Sequence, residues 1–454
     1  MSKIETSGRL GKLRDKLAEL APPLEVPGTA VGIYHEGAEE YAFHGVTSLE
    51  NPLEVDENTL FQFGSTGKTY TATAILRLVE QGVVDLDEAV RSYIPELKLE
   101  DEKAAQEVRV LNLLNHTAGW EGDFDVDTGQ GDDALAKFVE KLQEANQEFP
   151  PGTSFSYNNA ALSLAGRVIE KVTENTYEAA MKELVLDPLG LEQTFLVASD
   201  VMTRRFVVGH TNRPDGSIIV ARPWGESRAG TPAGANVAST AGDQIKWARF
   251  HLGDGRSAAG KPVLSEKLLR QMQVPTVETH GVLGDHVGLG WILRDVDGSR
   301  VAGHGGTTNG QISALDLVPG RGFAIAVLTN ANPNGYPLQQ EIVRWALEEY
   351  LGVVERDPEP LDLSEERLGA YLGTYETVAA VVHVTVKGGR LMLDIESKDE
   401  EQESYPPFPA GILPGDRVIV TDGVAKGMTG FFDRGDSGAI EGLHIGGRLA
   451  TKVR

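Results

Sequence analysis

The chain has no cysteine. That absence excludes disulfides, thiolate zinc sites and cysteine nucleophiles together, so any covalent nucleophile must be an oxygen or an amine. Positive charge is scarce as well: 42 Lys and Arg stand against 67 Asp and Glu, a formal net charge of -25. A field of that sign repels phosphate backbones and anionic lipid heads, which argues against nucleic acid and membrane surfaces as partners unless a local positive cleft overrides it. Long hydrophobic runs are missing, so no spanning helix is expected. The opening stretch MSKIETSGRLGKLRDKLAEL interleaves charge where a secretory leader needs an unbroken apolar segment, and a cytoplasmic location is expected. No H-E-x-x-H is present, so no metal is expected, and no motif calls for a cofactor. No G-x-S-x-G surrounds any serine, which removes the Ser-His-Asp hydrolase pattern.

What is present suffices for two or three folding units, since 454 residues exceed the usual domain size of about 100–200. An amphipathic helix is expected over 10–20, followed by a strand hairpin at 29–34 and 41–46 with a polar loop at 35–40. Ala72, Ile75, Leu76 and Val79 fall at helical spacing with Gly82 as the stop, and further helices are expected at 134–144 and from Ala160, so the stretch from about 70 to 230 reads as mostly helical. Strands return at 288–295, 300–303, 311–318 and 323–329, and a helix from about 337 to 351 closes the unit. The segment 355–364 joins proline to charge without periodicity and reads as a linker. Beyond it, short strands at 382–386, 390–395, 417–421 and 429–433 are separated by glycine-bearing turns, the pattern of an antiparallel β-barrel or half-barrel over 365–454. The fold class is therefore α/β, followed by an all-β unit.

Three short stretches carry chemistry. In Phe61-Gln-Phe-Gly-Ser65-Thr-Gly-Lys68 a serine opens a periodic helix and a lysine follows one turn later. Side chains at i and i+3 have Cβ atoms about 5–6 Å apart, so the amine can reach the hydroxyl, and the helix N-terminus favours negative charge. Burial and nearby cations can lower a lysine enough to serve as a base. The same residues also fit a helix cap beside a solvated lysine, and a Ser-x-x-Lys spacing arises about once by chance in such a chain. The overlapping Gly64-Ser-Thr-Gly-Lys-Thr69 fails as a phosphate loop, because Gln62 stands where its first glycine belongs. The second stretch, Pro150-Pro-Gly-Thr-Ser-Phe-Ser-Tyr157-Asn158-Asn159, leaves Tyr157 in a loop where a phenol can pass protons and Asn159 can hold an amide, although an asparagine cap with a core tyrosine explains it equally well. The third, Gly303-His304-Gly305-Gly306-Thr307-Thr308, sits at the end of a short expected strand, where backbone N–H groups can face an oxyanion. A lone turn of this kind is more often only a tight corner.

Taken together and in this order, Ser65-x-x-Lys68, Tyr157-x-Asn159 and His304-x-Gly306 resemble the three motifs of the penicillin-recognising serine hydrolases, a family of class C β-lactamases, D,D-peptidases, D-aminopeptidases and esterases. Leu113-Leu-Asn-His-Thr-Ala-Gly119, Asp187-Pro-Leu-Gly-Leu191 and Val327-Leu-Thr-Asn330 are similar too, and the likeness runs over about 25–350. It implies a β-lactamase/transpeptidase-like catalytic domain over 1–354, with an antiparallel sheet flanked by helices, an inserted helical part and the active site between them. It further implies Ser65 as nucleophile, Lys68 as base and Tyr157 as proton relay. Asn159, His304 and Gly306 would bind substrate, and the N–H groups of Ser65 and Thr307 would form the oxyanion hole. The expected substrate is a small molecule or short peptide, namely a D-residue peptide, an amide or a small ester. The alternatives are a β-lactamase proper, weakened because many members carry lysine in place of His304, and a sensor that is acylated without rapid turnover. The region 365–454 resembles the lipocalin-like appendages of some members. A homo-oligomer is compatible with all of this. His304 is expected to sense substrate charge by titrating near pH 6.5, and the barrel is expected to shape access more than chemistry.

Overall fold

The computed structural model describes residues 3–213, 215–398, 406–423, 425–435 and 437–453. The first two residues of the opening stretch and 399–405, inside the expected barrel, lie outside the described residues. Leu13 and Leu17 are one helical turn apart and fully buried, and the helix they anchor, α1 (Lys3–Leu20), starts earlier than its apolar spacing indicated. Strands β1 (Gly28–His35) and β2 (Ala38–Gly45) then form a hairpin whose turn is only Glu36-Gly37, tighter than the expected six-residue loop. Both turn residues have positive φ, as short hairpin turns require.

The main sheet also contains β3 (Val277–Glu278), β4 (His286–Val287), β5 (Ile292–Val296), β6 (Ser299–Thr308), β7 (Gln311–Val318) and β8 (Phe323–Thr329). Its order is β2-β1-β8-β7-β6-β5-β4-β3, antiparallel throughout. Every residue of β7 and β8 is buried, because helices cover both faces. The two-residue period of a strand divides β8 between them: Phe323, Ile325 and Val327 pack with Leu13 and Leu17 of α1 and with Leu338, Ile342 and Ala346 of the closing helix, α5 (Gly335–Leu351). Ala324, Ala326 and Leu328 face the larger core, which includes α2 (Gly67–Glu80), α3 (Asn159–Thr173) and α4 (Ala241–Leu252). Short helices between about 100 and 200 complete the expected helical part.

Two strand expectations change. Residues 288–291 form a turn before β5, with Gly290 at φ 73. Strand β6 does not stop at Gly303 but continues to Thr308, because β7 goes on pairing with it, Gly306 opposite Ser313 and Thr308 opposite Gln311. Its other edge loses β5 after Gly303, which is opposite Ile292. The third motif therefore lies on a strand edge, not at a corner beyond it.

The last region is a closed eight-stranded antiparallel barrel: β9 (Gly373–Glu376), β10 (Ala380–Lys387), β11 (Arg390–Ser397), β12 (Phe408–Ile412), β13 (Arg417–Val420), β14 (Thr429–Arg434), β15 (Ile440–Ile445) and β16 (Arg448–Lys452). Closure is made by β9 against β16, Tyr375 opposite Lys452. Inward residues alternate, as in Val382 and Val384 or Leu391 and Leu393. The intervening 355–364 stretch has no helix or strand but is tied at both ends. Glu355 accepts from Arg294 Nε at 3.2 Å, Asp357 pairs with Arg344, and Leu361 N donates to Ile412 O at 2.7 Å.

Candidate active site

Ser65 lies in a single 3₁₀ turn, Gly64–Thr66, that leads directly into α2. It is the only residue from 61 to 70 that is not buried. Gly64 takes φ 52, and a Cβ there would sit 2.8 Å from Thr307 N, so the serine turn presses against the backbone of β6. A Cβ on Gly306 would sit 1.9 Å from Phe63 O, so both glycines permit this approach. Thr66 Oγ1 donates to His304 O at 3.0 Å, fastening turn to strand. The backbone N–H of Ser65 and that of Thr307 thus belong to two segments in direct contact.

Lys68, one turn along α2, is completely buried. Its Nζ is 2.8 Å from Ser65 Oγ and donates to Ala233 O at 2.6 Å. Burial depresses the amine well below the ordinary lysine range, and the Arg448 guanidinium pushes it further down against the opposing pull of Asp123 and Glu226. Tyr157 also hydrogen-bonds Ser65, and Lys68 Nζ lies 4.9 Å from its ring centre. Burial raises this phenol well above its usual range, so it rests protonated, although the Ser65 bond and Arg448 oppose the shift. Asn158 caps α3 by accepting from Ala161 N at 2.7 Å, which fixes the loop that carries Tyr157.

The sequence reading missed three side chains around Tyr157. His116, neutral because burial and Lys68 hold its imidazole well below the usual range, stacks on the phenol at 4.3 Å and accepts from Asn158 N through Nδ1. Asp123 accepts from Asn159 Nδ2 at 3.0 Å, so the amide expected to meet substrate is itself held. Arg448, the first residue of β16, reaches in from the barrel with its guanidinium 4.8 Å from the Tyr157 ring centre. It forms a two-pronged pair with Asp123, both bonds 2.8 Å, across 325 positions of sequence. Tyr157 N donates to Gly447 O at 2.7 Å. The barrel thus reaches these residues through Arg448 and Gly447, which the expectation that it mainly shapes access did not anticipate. Only His116 fell within a stretch singled out beforehand, and nothing in local spacing marks Arg448 or Asp123.

His304 also departs from expectation. It is 4% exposed, and burial beside Lys68 pushes its imidazole down to about 3, so it stays neutral where it was expected to titrate. Nδ1–H donates to Gly305 O at 2.6 Å, which leaves Nε2 as a lone pair.

A family model described as "Beta-lactamase" matches residues 17–347. The chain belongs to the beta-lactamase family. Penicillin-binding protein 4 of Amycolatopsis lactamdurans is 33% identical over 362 residues, covering 77% of this chain and 93% of that protein. A beta-lactamase of Yersinia enterocolitica is 28% identical over 60% of this chain and 66% of its own length. Among solved structures, SurE superposes with a TM-score of 0.76 at 25% identity, over 99% of this chain and all of SurE, barrel included. The octameric penicillin-binding protein homologue of Pyrococcus abyssi, at 23% identity and a TM-score of 0.67 over 97% and 99% of the two chains, shares the fold. Among the described residues, no helix is long and apolar enough to cross a membrane. This beta-lactamase-family chain is thus a member of a family of serine hydrolases with the mixed α/β fold anticipated from its motifs.

Proposed function

We propose that the chain is a serine acyl hydrolase that cleaves an amide or ester through an acyl-enzyme on Ser65, with D-residue peptides and amides as its preferred class. The carrying observation is the 2.8 Å contact between Ser65 Oγ and a fully buried Lys68 whose amine is depressed by burial and by Arg448. As a free amine, Lys68 keeps one N–H on Ala233 O and turns its lone pair to Ser65. It accepts the hydroxyl proton as Oγ bonds to the substrate carbonyl carbon. The oxyanion is met by the N–H groups of Ser65 and Thr307. Tyr157, protonated at rest, passes its proton to the departing nitrogen or oxygen and is refilled from Lys68, so the bond from carbon to the leaving group breaks with its charge neutralised. Water then repeats the sequence on the acyl-enzyme, with proton flow reversed. Asn159, His304 and Gly306 hold substrate along the free edge of β6.

Two further observations support the substrate class. The Glu226 carboxylate is close enough to act on Lys68, and Asp125 is close enough to act on Glu226, an acidic neighbourhood that suits neutral or amine-bearing substrates. SurE has been solved with D-Leu, at 27% identity to this chain and a TM-score of 0.74. The test is Ser65→Ala, which should abolish turnover of D-amino-acid amides and small esters with the fold intact. A phosphonofluoridate should add mass at Ser65 and nowhere else. Labelling of another residue, or undiminished turnover by the alanine variant, would refute the assignment.

A further inference from the structure

The N–H of Thr307, one of the two oxyanion donors in the acyl-enzyme reading, belongs to a stretch of β6 with a strand partner on one side only. Beyond Gly303 this stretch has lost β5, and β7 alone pairs with it as far as Thr308. A donor that meets a developing charge has to be in place before the charge forms, because one that must first move adds its own reorganisation to the barrier. What fixes this free-edged stretch therefore bears on rate as well as on the fold.

Part of the hold comes from the serine side. Thr66 Oγ1 donates to His304 O at 3.0 Å, and Ser313 Oγ of β7 donates to Phe63 O at 2.8 Å. The rest comes from α5. Thr307 lies opposite Ile312 across β6 and β7, so the two side chains leave the sheet on the same face. The first turn of α5 sits there: a Cβ on Gly335 would be 2.9 Å from Ile312 Cβ and 2.2 Å from Thr329 Oγ1 of β8, so the helix start rests directly on the sheet. The next residue, Tyr336, sends its phenol to Thr307, and the two hydroxyl groups share a hydrogen bond of 2.5 Å. The Tyr336 oxygen is also near enough to act on the Tyr157 phenol and on the Arg448 guanidinium, so it borders the same cleft as the proposed proton relay.

This bond is poorly placed to serve stability. Tyr336 is a large ring left 42% exposed, and Thr307 is exposed as well. A hydrogen bond open to water exchanges with water at little net gain. Its distinguishing feature is what it joins: the start of a helix seated on the sheet, and the one residue of the free-edged stretch whose N–H is assigned to the oxyanion.

Resting on the acyl-enzyme reading, we propose that Tyr336 is a positioning residue of the oxyanion hole. By holding the Thr307 side chain, its phenol fixes the free-edged end of β6, so that the Thr307 N–H is already in place for the carbonyl oxygen when Ser65 attacks. Tyr336 acts through Thr307 and takes no part in proton transfer.

The experiment compares full-length wild type with Tyr336→Phe, Thr307→Val, Thr307→Ser and the double variant Tyr336→Phe/Thr307→Val. Three quantities are measured: turnover of a small ester, thermal unfolding, and the rate of Ser65 labelling by a small phosphonofluoridate, whose phosphoryl oxygen needs the same two N–H groups. Tyr336→Phe keeps the ring and removes only the bond. Its kcat should fall about tenfold with KM within about twofold of wild type, labelling should slow in proportion, and the unfolding temperature should stay in place. Thr307→Ser keeps the hydroxyl and should retain activity. Thr307→Val should lose about as much as Tyr336→Phe, and the double variant no more than either alone, because each removes the same bond. An unchanged kcat in Tyr336→Phe, a loss confined to KM, or losses that multiply in the double variant would overturn the proposal. A wild type that does not label at Ser65 would instead overturn the acyl-enzyme reading, and this proposal with it.

Discussion

In the proposed mechanism Lys68 takes a proton from Ser65 only as the free amine, so activity should fall on the acid side as Lys68 becomes protonated. Burial is the larger cause of its lowered basicity and Arg448 the next. Arg448→Gln removes a positive neighbour and frees the Asp123 carboxylate, and both changes favour the ammonium. The acid limb of kcat/KM should therefore move to higher pH in this variant. An unmoved limb would mean that Arg448 does not act on the lysine. His304 makes the opposite kind of prediction. With its imidazole held down to about 3, its ring signals should stay unshifted between about pH 5 and about pH 8, and no term in kcat/KM should trace to it. Motif order proposes Ser65, Lys68, Tyr157, Asn159, His304, Gly306 and Thr307 as site residues, but it says nothing of protonation states, because these depend on burial that no local pattern encodes.

At the level of elements, the turn between β15 and β16 does more than close a hairpin. Gly446 and Gly447 take φ 56 and 86, and Gly447 accepts from Tyr157 N while Leu283 crowds its open side. Gly447→Ala should cost about 1 to 3 kcal/mol, since a left-handed backbone and a missing space are both penalised. It should also lower kcat more than it raises KM, because the displaced group is Tyr157. Thermal unfolding and steady-state kinetics on an ester check this, and an unchanged kcat would separate the turn from the proposed proton relay. The extension of β6 through the third motif was hidden for a related reason. Its glycines read as a turn, whereas pairing with β7, an entirely buried strand, holds them extended.

For the molecule as a whole, the question is whether the catalytic part stands without its barrel. Truncation after residue 353 removes Arg448, Gly447 and Phe431, the last packed against the cluster of Phe155, Tyr157, Val282 and Val287. The shortened protein should label at Ser65 more slowly than the full chain, even where circular dichroism finds native helix content. Equal labelling rates would show that the barrel is dispensable for acylation. Local spacing alone determined most secondary structure and the nearness of Ser65 to Lys68, because helix and strand periodicities and an i, i+3 pair are properties of neighbouring residues, whereas the association of Tyr157 and His304 with them was implied only by the resemblance of the three motifs to a known family. Tertiary structure decided what those side chains can do. The lowered lysine, the neutral histidine and the arginine delivered from the last strand all follow from burial and from contacts such as Arg448 with Asp123, 325 positions apart, and long-range electrostatics of that kind has no signature within either segment.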